Sequence, residues 1–513
     1  MKEKLEPIMF VGTGSDVGKS IVATGFCRIF KQDGYCPAPF KAQNMSLNSY
    51  ATPDNLEIGR AQAVQAQAAM IECCTDMNPL LLKPNSNHSS QVVLNGKPRG
   101  NCSAYDYFRK EGREELREQV HAAFDRLSAK YNPIVIEGAG SVSEINLRET
   151  DLVNMPMAIY AKANVILVAD IERGGVFASV YGSIMLMTEQ ERERVKGIII
   201  NKFRGDVRLF EPGIKIIEDL CKVPVIGVLP YFSDIHIEEE DSMALKNKNF
   251  KSLNWQDGAV VNKVNIAVIL LRHISNFTDF NVLETDQRVH LYYTRSEVEI
   301  NNADIIIIPG SKSTIDDLDE LKKSGLGKCI INARKSGKTI FGICGGYQIM
   351  GEMVYDPFNI EGETEQMAGL GLLPVTTTIS REKRTVSLNF RLNEAIRQGQ
   401  ESSEKLSFNN AGYEIHMGET CFVQNSAAKA LNILENYSLE GCFVDNKCMG
   451  TYLHGILDNK ECIDLLLEPF KESFNANSFN YKDFKNEQYD KLAEQIRQYC
   501  NIDLVYKIIK GDN

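Results

Sequence analysis

Two runs of residues have the types and spacing that chemistry needs. Near the N-terminus stands Gly12-Thr13-Gly14-Ser15-Asp16-Val17-Gly18-Lys19-Ser20. A bound phosphate requires backbone N–H groups unobstructed by Cβ atoms, a helix N-terminus and a cation. Glycines 12, 14 and 18, a helix opening at Ser20 and the amine of Lys19 offer all three, and the Ser20 hydroxyl is a ligand for Mg²⁺. The spacing departs from G-x-x-x-x-G-K-[ST], because position 13 is Thr and the first glycine lies one residue earlier. An ordinary glycine-rich turn is the bland alternative, and Gly-Lys-Ser between a strand and a helix argues against it. Further on, the strand Ile134–Ile136 ends in Glu137-Gly138-Ala139-Gly140-Ser141. A carboxylate at the C-terminal end of a parallel strand faces the ligand crevice and can hold Mg²⁺.

The second run is Gly342-Ile343-Cys344-Gly345-Gly346-Tyr347, between an apolar strand and a helical stretch expected from Gln348. Glycines two before and two after a Cys are what a sharp nucleophile turn requires. Such a turn exposes the sulfur, the helix behind it favours the thiolate, and the Gly345 N–H can stabilise an oxyanion. The loop Pro309-Gly310-Ser311-Lys312-Ser313 follows another strand, and Gly310 is the candidate for a second oxyanion N–H. A base is needed, and His454, at the end of the expected strand Met449–Leu453, is the candidate. Alone, the Cys would read as a small buried hydrophobe and the His as a structural side chain. At strand ends of one α/β domain, together they read as a catalytic pair. The other twelve cysteines read as inert, and of the other histidines only His416 is kept apart from a structural role.

These groups must be carried by strands and helices, and two series of apolar strands are visible. The first is Ile8–Gly12, Ile134–Gly138, Val165–Ala169, Gly197–Asn201 and Val225–Leu229; the second is Val264–Leu271, Val289–Tyr293, Asp304–Pro309 and Thr339–Ile343. Nearly continuous β-branched runs belong to parallel sheets buried on both faces. The fold class expected is therefore α/β, with two doubly wound domains. The N-terminal phosphate-loop domain spans 1–235. A linker with an acidic run covers 236–262, a second α/β domain 263–460 and a docked helical segment 461–513.

Composition bounds the rest. The chain has 513 residues, a formal net charge of −11 and 43% apolar side chains. That balance excludes a large sequence-independent nucleic-acid surface and extensive disorder. No apolar run approaches the roughly 20 residues that span a bilayer, and the stretch before Gly12 is too short for a secretory signal. Thirteen cysteines, odd in number and without a C-x-x-C pair, fit reduced thiols. The expectation is a soluble cytoplasmic protein with no nucleic-acid or membrane partner.

A phosphate loop beside a Cys/His hydrolase implies amide-nitrogen transfer, and the chain resembles the cobyric acid synthases over nearly its whole length. The resemblance rests on Lys41–Ser49 (KAQNMSLNS), Glu57–Gln62, Glu137–Ser141, Asp151–Met155, Asp170–Ala178 (DIERGGVFA), Asn201–Asp206 and Gly412–Gly418. It implies a dethiobiotin synthetase-like domain followed by a class I glutamine amidotransferase-like domain. The implied reaction is ATP- and glutamine-dependent amidation of the b, d, e and g carboxylates of adenosylcobyrinic acid a,c-diamide. By motif, Gly12 to Ser20 bind ATP, Ser20 and Glu137 hold Mg²⁺, and Asn201 contacts the adenine. The corrinoid falls to Gln43, Asn44, Ser46 and Asn48, with Arg173, Gly174 and Gly175.

One departure stands out. Many class I glutaminases carry an acid two residues after the His, where this chain has Ile456, and the next acid is Asp458. A backbone carbonyl, or an acid from elsewhere in the fold, must then orient the ring. Two rival readings remain: cobyrinic acid a,c-diamide synthase, against which Lys41–Ser49 argues, and a regulatory P-loop ATPase, which has no use for Cys344 and His454.

Overall fold

The computed structural model describes residues 2–84, 89–103, 113–238, 263–361, 364–396, 407–473 and 480–511. The chain forms two compact units, and neither is one continuous stretch. The first comprises Met1–Ser46, Leu56–Glu238 and Lys485–Asn513; the second comprises Leu47–Asn55 and Glu239–Phe484.

In the first unit the expected strands are β1 (Ile8–Gly12), β3 (Ile134–Glu137), β4 (Asn164–Asp170), β5 (Val195–Phe203) and β6 (Val225–Pro230), joined by a short β2 (Ala38–Phe40). They form one sheet in the order β6-β5-β4-β1-β3-β2, and every pairing is parallel. β1, β3 and β4 are buried along their full length, as the unbroken Ile/Val/Phe runs require. Their C-terminal ends therefore deliver Gly12, Glu137 and Asp170 to one edge of the sheet. Helix α1 (Lys19–Gln32) follows the loop and packs Phe26 against Phe10, ring centres 4.9 Å apart.

The second unit holds β7 (Val264–Ile269), β8 (Val289–Thr294), β9 (Ile305–Ile308), β10 (Thr339–Ile343), β11 (Cys442–Asp445) and β12 (Cys448–Thr451). Their order is β8-β7-β9-β10-β12-β11, parallel except for the β11–β12 hairpin at the edge. A second sheet of this unit is built on two long antiparallel strands, Val375–Leu392 and Asn410–Phe422. No periodic apolar signal marks those two, because their exposed and covered positions alternate irregularly.

Three expectations about domain limits need correction. Of the linker expected at 236–262, His236 and Glu238 lie inside the first unit: His236 N donates to Gln488 Oε1 at 3.0 Å and Glu238 pairs with Arg60 at 2.7 Å. Positions 239–262 lie outside the described residues. The N-terminal domain is also not continuous, because Leu47–Asn55 belongs to the second unit. Finally, the helical segment expected at 461–513 divides. Helix Lys460–Leu467 stays with the second unit, whereas Lys485–Asn513 completes the first. The physical reason lies on α1, where Gly25 has no side chain because Ile496 occupies the space a Cβ would need. Leu492, Ala493 and Ile496 are fully buried in the same core as Phe26 and Phe30.

Ile496→Ala should therefore destabilise the first unit by about 2–5 kcal/mol, the usual cost of emptying a filled apolar site. The expected signs are an earlier thermal transition and faster proteolytic release of the C-terminal helices. An unchanged transition would mean that the tail adds nothing to that core.

Candidate functional site

The phosphate loop leaves β1 at Gly12 and enters α1 at Lys19, with Gly18 in the left-handed region at φ 97°. A Cβ at Gly12 would stand 2.8 Å from the Gly14 carbonyl, so the tight turn excludes any side chain there. Lys19 Nζ donates to the carbonyls of Gly14 (3.0 Å) and Gly140 (2.9 Å), tying the loop to the stretch after β3. Burial lowers its pKa to about 8, against the pull of Glu137, so an arriving phosphate would find a poorly solvated ammonium.

Glu137 is 1% exposed. Its Oε1 accepts from Ser20 Oγ at 2.7 Å and from Lys41 Nζ at 2.9 Å, and its Oε2 accepts from Gln65 Nε2 at 2.5 Å. Burial alone would raise its pKa; the Lys41 ammonium and the three donors hold it below the ordinary carboxylate value. The two residues expected to hold Mg²⁺ thus converge on one hydroxyl–carboxylate pair. Two hard oxygen donors suit an ion that keeps few protein ligands and takes the rest of its shell from nucleotide phosphates and water. Asn201 is buried behind the loop: its Nδ2 donates to the Val17 carbonyl at 2.8 Å, where a Cβ on Gly18 would collide with it. That amide nitrogen supports the loop from below.

In the second unit Cys344 sits between β10 and helix α2 (Gly345–Met350) at φ 51°, ψ −110°, a conformation that non-glycine residues rarely adopt. The glycines behind it are sterically required: a Cβ at Gly346 would overlap the Ile308 carbonyl at the end of β9. The Gly310–Ser311 loop pairs with Ile274–Ser275. A Cβ at Gly345 would approach the Ser311 nitrogen to 2.7 Å, and one at Gly310 would stand 3.4 Å from the His454 ring. The two stretches expected to stabilise an oxyanion are therefore neighbours at the nucleophile.

His454 follows β12, is 1% exposed, and is electrostatically coupled to Cys344, whose Sγ donates to the Ile415 carbonyl at 3.7 Å. The residue that orients it was not visible in sequence. His454 Nδ1 lies 2.7 Å from Asp279 Oδ2, and Gly455 N donates to Asp279 Oδ1 at 2.9 Å. With Nδ1 committed to Asp279, Nε2 remains for Cys344. Burial would lower the imidazole pKa, but the Asp279 carboxylate and Cys344 outweigh it and raise it to about 10. Asp279 stands 175 positions before His454, on the short 3-10 turn Phe277–Phe280 after β7. The one local clue is an Asp enclosed by Phe277, Thr278 and Phe280 that is itself buried. The carboxylate that meets the His454 ring is thus Asp279, 175 positions away, and not the nearby Asp458.

Known families cover both units of the chain. Residues 8–245 match the CobQ/CobB/MinD/ParA nucleotide binding domain, and residues 265–462 match the CobB/CobQ-like glutamine amidotransferase domain. The cobyric acid synthase of Phocaeicola vulgatus is 61% identical over the full length of both chains. Those of Parabacteroides distasonis and Clostridium perfringens are 53% and 46% identical, covering 100% and 98% of each chain respectively. The chain belongs to the cobyric acid synthase family. Both halves expected from the sequence are present, a nucleotide-binding P-loop domain and a glutamine amidotransferase domain.

The residues that the resemblance to cobyric acid synthases assigned to the corrinoid fall in different places. Gln43 and Asn44 lie on the strand Gln43–Met45 of the first unit; Asn44 Nδ2 donates to Gln62 Oε1 at 3.1 Å, and Ser46 N donates to the Leu82 carbonyl. Arg173 is 68% exposed on its side chain, 3.7 Å from Asp16 of the phosphate loop, and is followed by Gly174 and Gly175 in left-handed conformations. Asn48 is in the other unit, against the Asp279 turn. His416 stacks on Tyr452 with ring centres 3.7 Å apart, and its Nδ1 lies 2.8 Å from the Gly418 carbonyl.

Asp279→Asn should cut glutamate release from glutamine by about 10²–10⁴-fold, the scale of a general base that has lost its orienting partner. Because Asp279 raises the His454 pKa, its removal should also move the alkaline limb of kcat/KM to lower pH. Asp458→Asn should cost less than about tenfold. If the losses were equal, or the limb stayed in place, Asp279 would not be the third member of the triad.

Proposed function

We propose that this chain is an adenosylcobyric acid-forming synthase that uses ATP and glutamine to amidate the b, d, e and g carboxylates of adenosylcobyrinic acid a,c-diamide. One observation carries the reading. A phosphoryl-transfer site at Lys19, Ser20 and Glu137 occurs in the same chain as a buried Cys344–His454–Asp279 constellation. A carboxylate is a poor acyl donor until it is phosphorylated, and ammonia is the nucleophile that the second site makes.

In the glutaminase half, the Cys344 thiolate, whose proton His454 holds, attacks the side-chain amide carbon of glutamine. The amide oxygen becomes an oxyanion beside the N–H groups of Gly345 and the Gly310–Ser311 loop. His454 returns the proton to the departing nitrogen, releasing ammonia and leaving a thioester. Water, deprotonated by the same imidazole, then hydrolyses the thioester to glutamate. Asp279 holds the ring throughout and stabilises its cation.

In the synthetase half, a corrinoid carboxylate oxygen attacks the terminal phosphorus of ATP, ADP leaves, and an acyl phosphate forms. Ammonia attacks its carbonyl carbon, inorganic phosphate departs, and the amide remains. Lys19 neutralises charge on the transferring phosphoryl group. Mg²⁺ at Ser20 and Glu137 would add further charge neutralisation there. Beside the loop is a cleft of about 210 Å³ whose lining includes Gln43, Met45, Arg113, Ser141, Asp151 and Asn154. Its size suits one carboxylate-bearing arm of the corrinoid rather than the macrocycle, and its Ser141 follows the Gly140 carbonyl that Lys19 grips.

Following corrinoid mass with ATP and glutamine tests the proposal, since four successive exchanges of OH for NH₂ are expected. Accumulation of a product with fewer new amides, or consumption of the precursor in which positions a and c are still carboxylates, would favour the a,c-diamide synthase reading. Cys344→Ala should abolish glutamine-driven amidation while ammonium salts still support it, and Lys19→Ala should lose both. Ammonium-driven amidation that survived in Lys19→Ala would remove the phosphate loop from the reaction.

A further inference from the structure

Residues Leu47–Asn55 lie in the first half of the sequence but fold with the glutaminase unit. Asn48 within this segment is 1% exposed, and its Oδ1 accepts from the backbone N–H of Phe277 at 3.2 Å. The next residue, Ser49, donates its N–H to Asn276 Oδ1 at 3.0 Å. Asn276 and Phe277 begin the turn Phe277–Phe280, and Asn276 is in the left-handed region at φ 50°. The first N–H of such a turn has no partner within the turn, and here the Asn276 side chain does not cap it. Asn48 supplies the acceptor. Two residues further along the turn, Asp279 grips both His454 Nδ1 and Gly455 N.

The same segment reaches the histidine by a second route. The Tyr50 ring lies 4.7 Å from that of Tyr413, and Tyr413 stacks on His454 at 5.3 Å. Tyr413 and His454 also exchange two backbone hydrogen bonds, of 3.1 and 2.9 Å. Ala51, Tyr413 and Ile415 share a small apolar cluster with Tyr50.

We propose that Asn48 is a positioning residue of the glutaminase, holding the Asp279 turn so that the carboxylate meets the His454 ring, and not a contact to the corrinoid. The inference rests on the reading of Cys344, His454 and Asp279 given above. A buried side-chain acceptor fixes a turn to a fraction of an ångström, and a displacement of about 1 Å at such a site can cost on the order of 100-fold in rate. The groups facing the imidazole are the Asp279 carboxylate, the Cys344 thiol and the Tyr413 ring. A shifted Asp279 is therefore felt at His454 first.

The test uses the full chain with Asn48→Ala, assayed for glutamate release across pH at saturating ATP and corrinoid, and for ammonium-driven amidation. Glutamate release should fall about 10–100-fold. Its alkaline limb should move to lower pH, as in Asp279→Asn, and the double variant should be little worse than Asp279→Asn alone. The corrinoid KM of the ammonium-driven reaction should stay within about twofold of the parent, below the tenfold that 1.4 kcal/mol of lost binding gives. If Asn48→Ala does not fold, Asn48→Leu, which fills the space without an acceptor, is compared with Asn48→Asp, which keeps one. The Asp variant should recover most of the rate.

A raised corrinoid KM with intact glutamate release would overturn the proposal. So would an unshifted limb with fully additive losses, or an Asp variant no better than Leu. Cys344→Ala serves as the separate control: glutamate release surviving there would mean that the nucleophile assignment has failed, whatever Asn48 does.

Discussion

A carboxylate withdrawn from water costs several kcal/mol unless cations and N–H groups compensate it in place. Glu137 and Asp279 are 1% and 4% exposed. Each is compensated, and in each case the compensating groups include one that does chemistry, Ser20 at Glu137 and His454 at Asp279. Around Glu137 they are Ser20, Lys41 and Gln65; around Asp279 they are the His454 ring and the Gly455 amide. The need to satisfy the acid thus fixes where the working side chains stand. The surrounding β-sheets supply the rigid ends on which these clusters sit, and their buried central strands exclude the water that would weaken them.

The parts legible in sequence were those whose physics is local. A phosphate loop is read from glycine positions and one Lys, because its backbone path is set within nine residues. The Cys344 turn is likewise read from the glycines around it, each of which the packing at Ile308, Ser311 and Met350 requires. Parallel strands announce themselves as unbroken Ile and Val runs, so most strands of both sheets were legible with ends shifted by one or two residues, whereas their order within each sheet is set by tertiary pairing. His454 was reached by its place after such a strand.

What escaped was set by distance along the chain. Asp279 carries no motif of its own: its partner lies 175 positions away, and nothing about an Asp between Thr278 and Phe280 states that the fold buries it beside an imidazole. The membership of Leu47–Asn55 in the glutaminase unit is equally non-local. Its Asn and Ser side chains suit a ligand and a turn equally well, so KAQNMSLNS reads as one functional stretch although the structure divides it after Ser46. The tail followed the same rule. Its helical period was visible, but Gly25, which makes room for Ile496, is informative only once the two are seen together.

That interleaving bears on how such a protein can be divided or assembled. A fragment ending at Glu238 would keep the phosphate loop yet leave α1 bare where Leu492, Ala493 and Ile496 belong. A fragment beginning at Lys263 would carry the nucleophile but lack the chain that braces its third triad member. Neither piece is a self-sufficient module, and a single cut in the gene yields two incomplete cores. A working split would have to move two short segments across the cut. The order of residues in the gene is therefore not the order of parts in the machine.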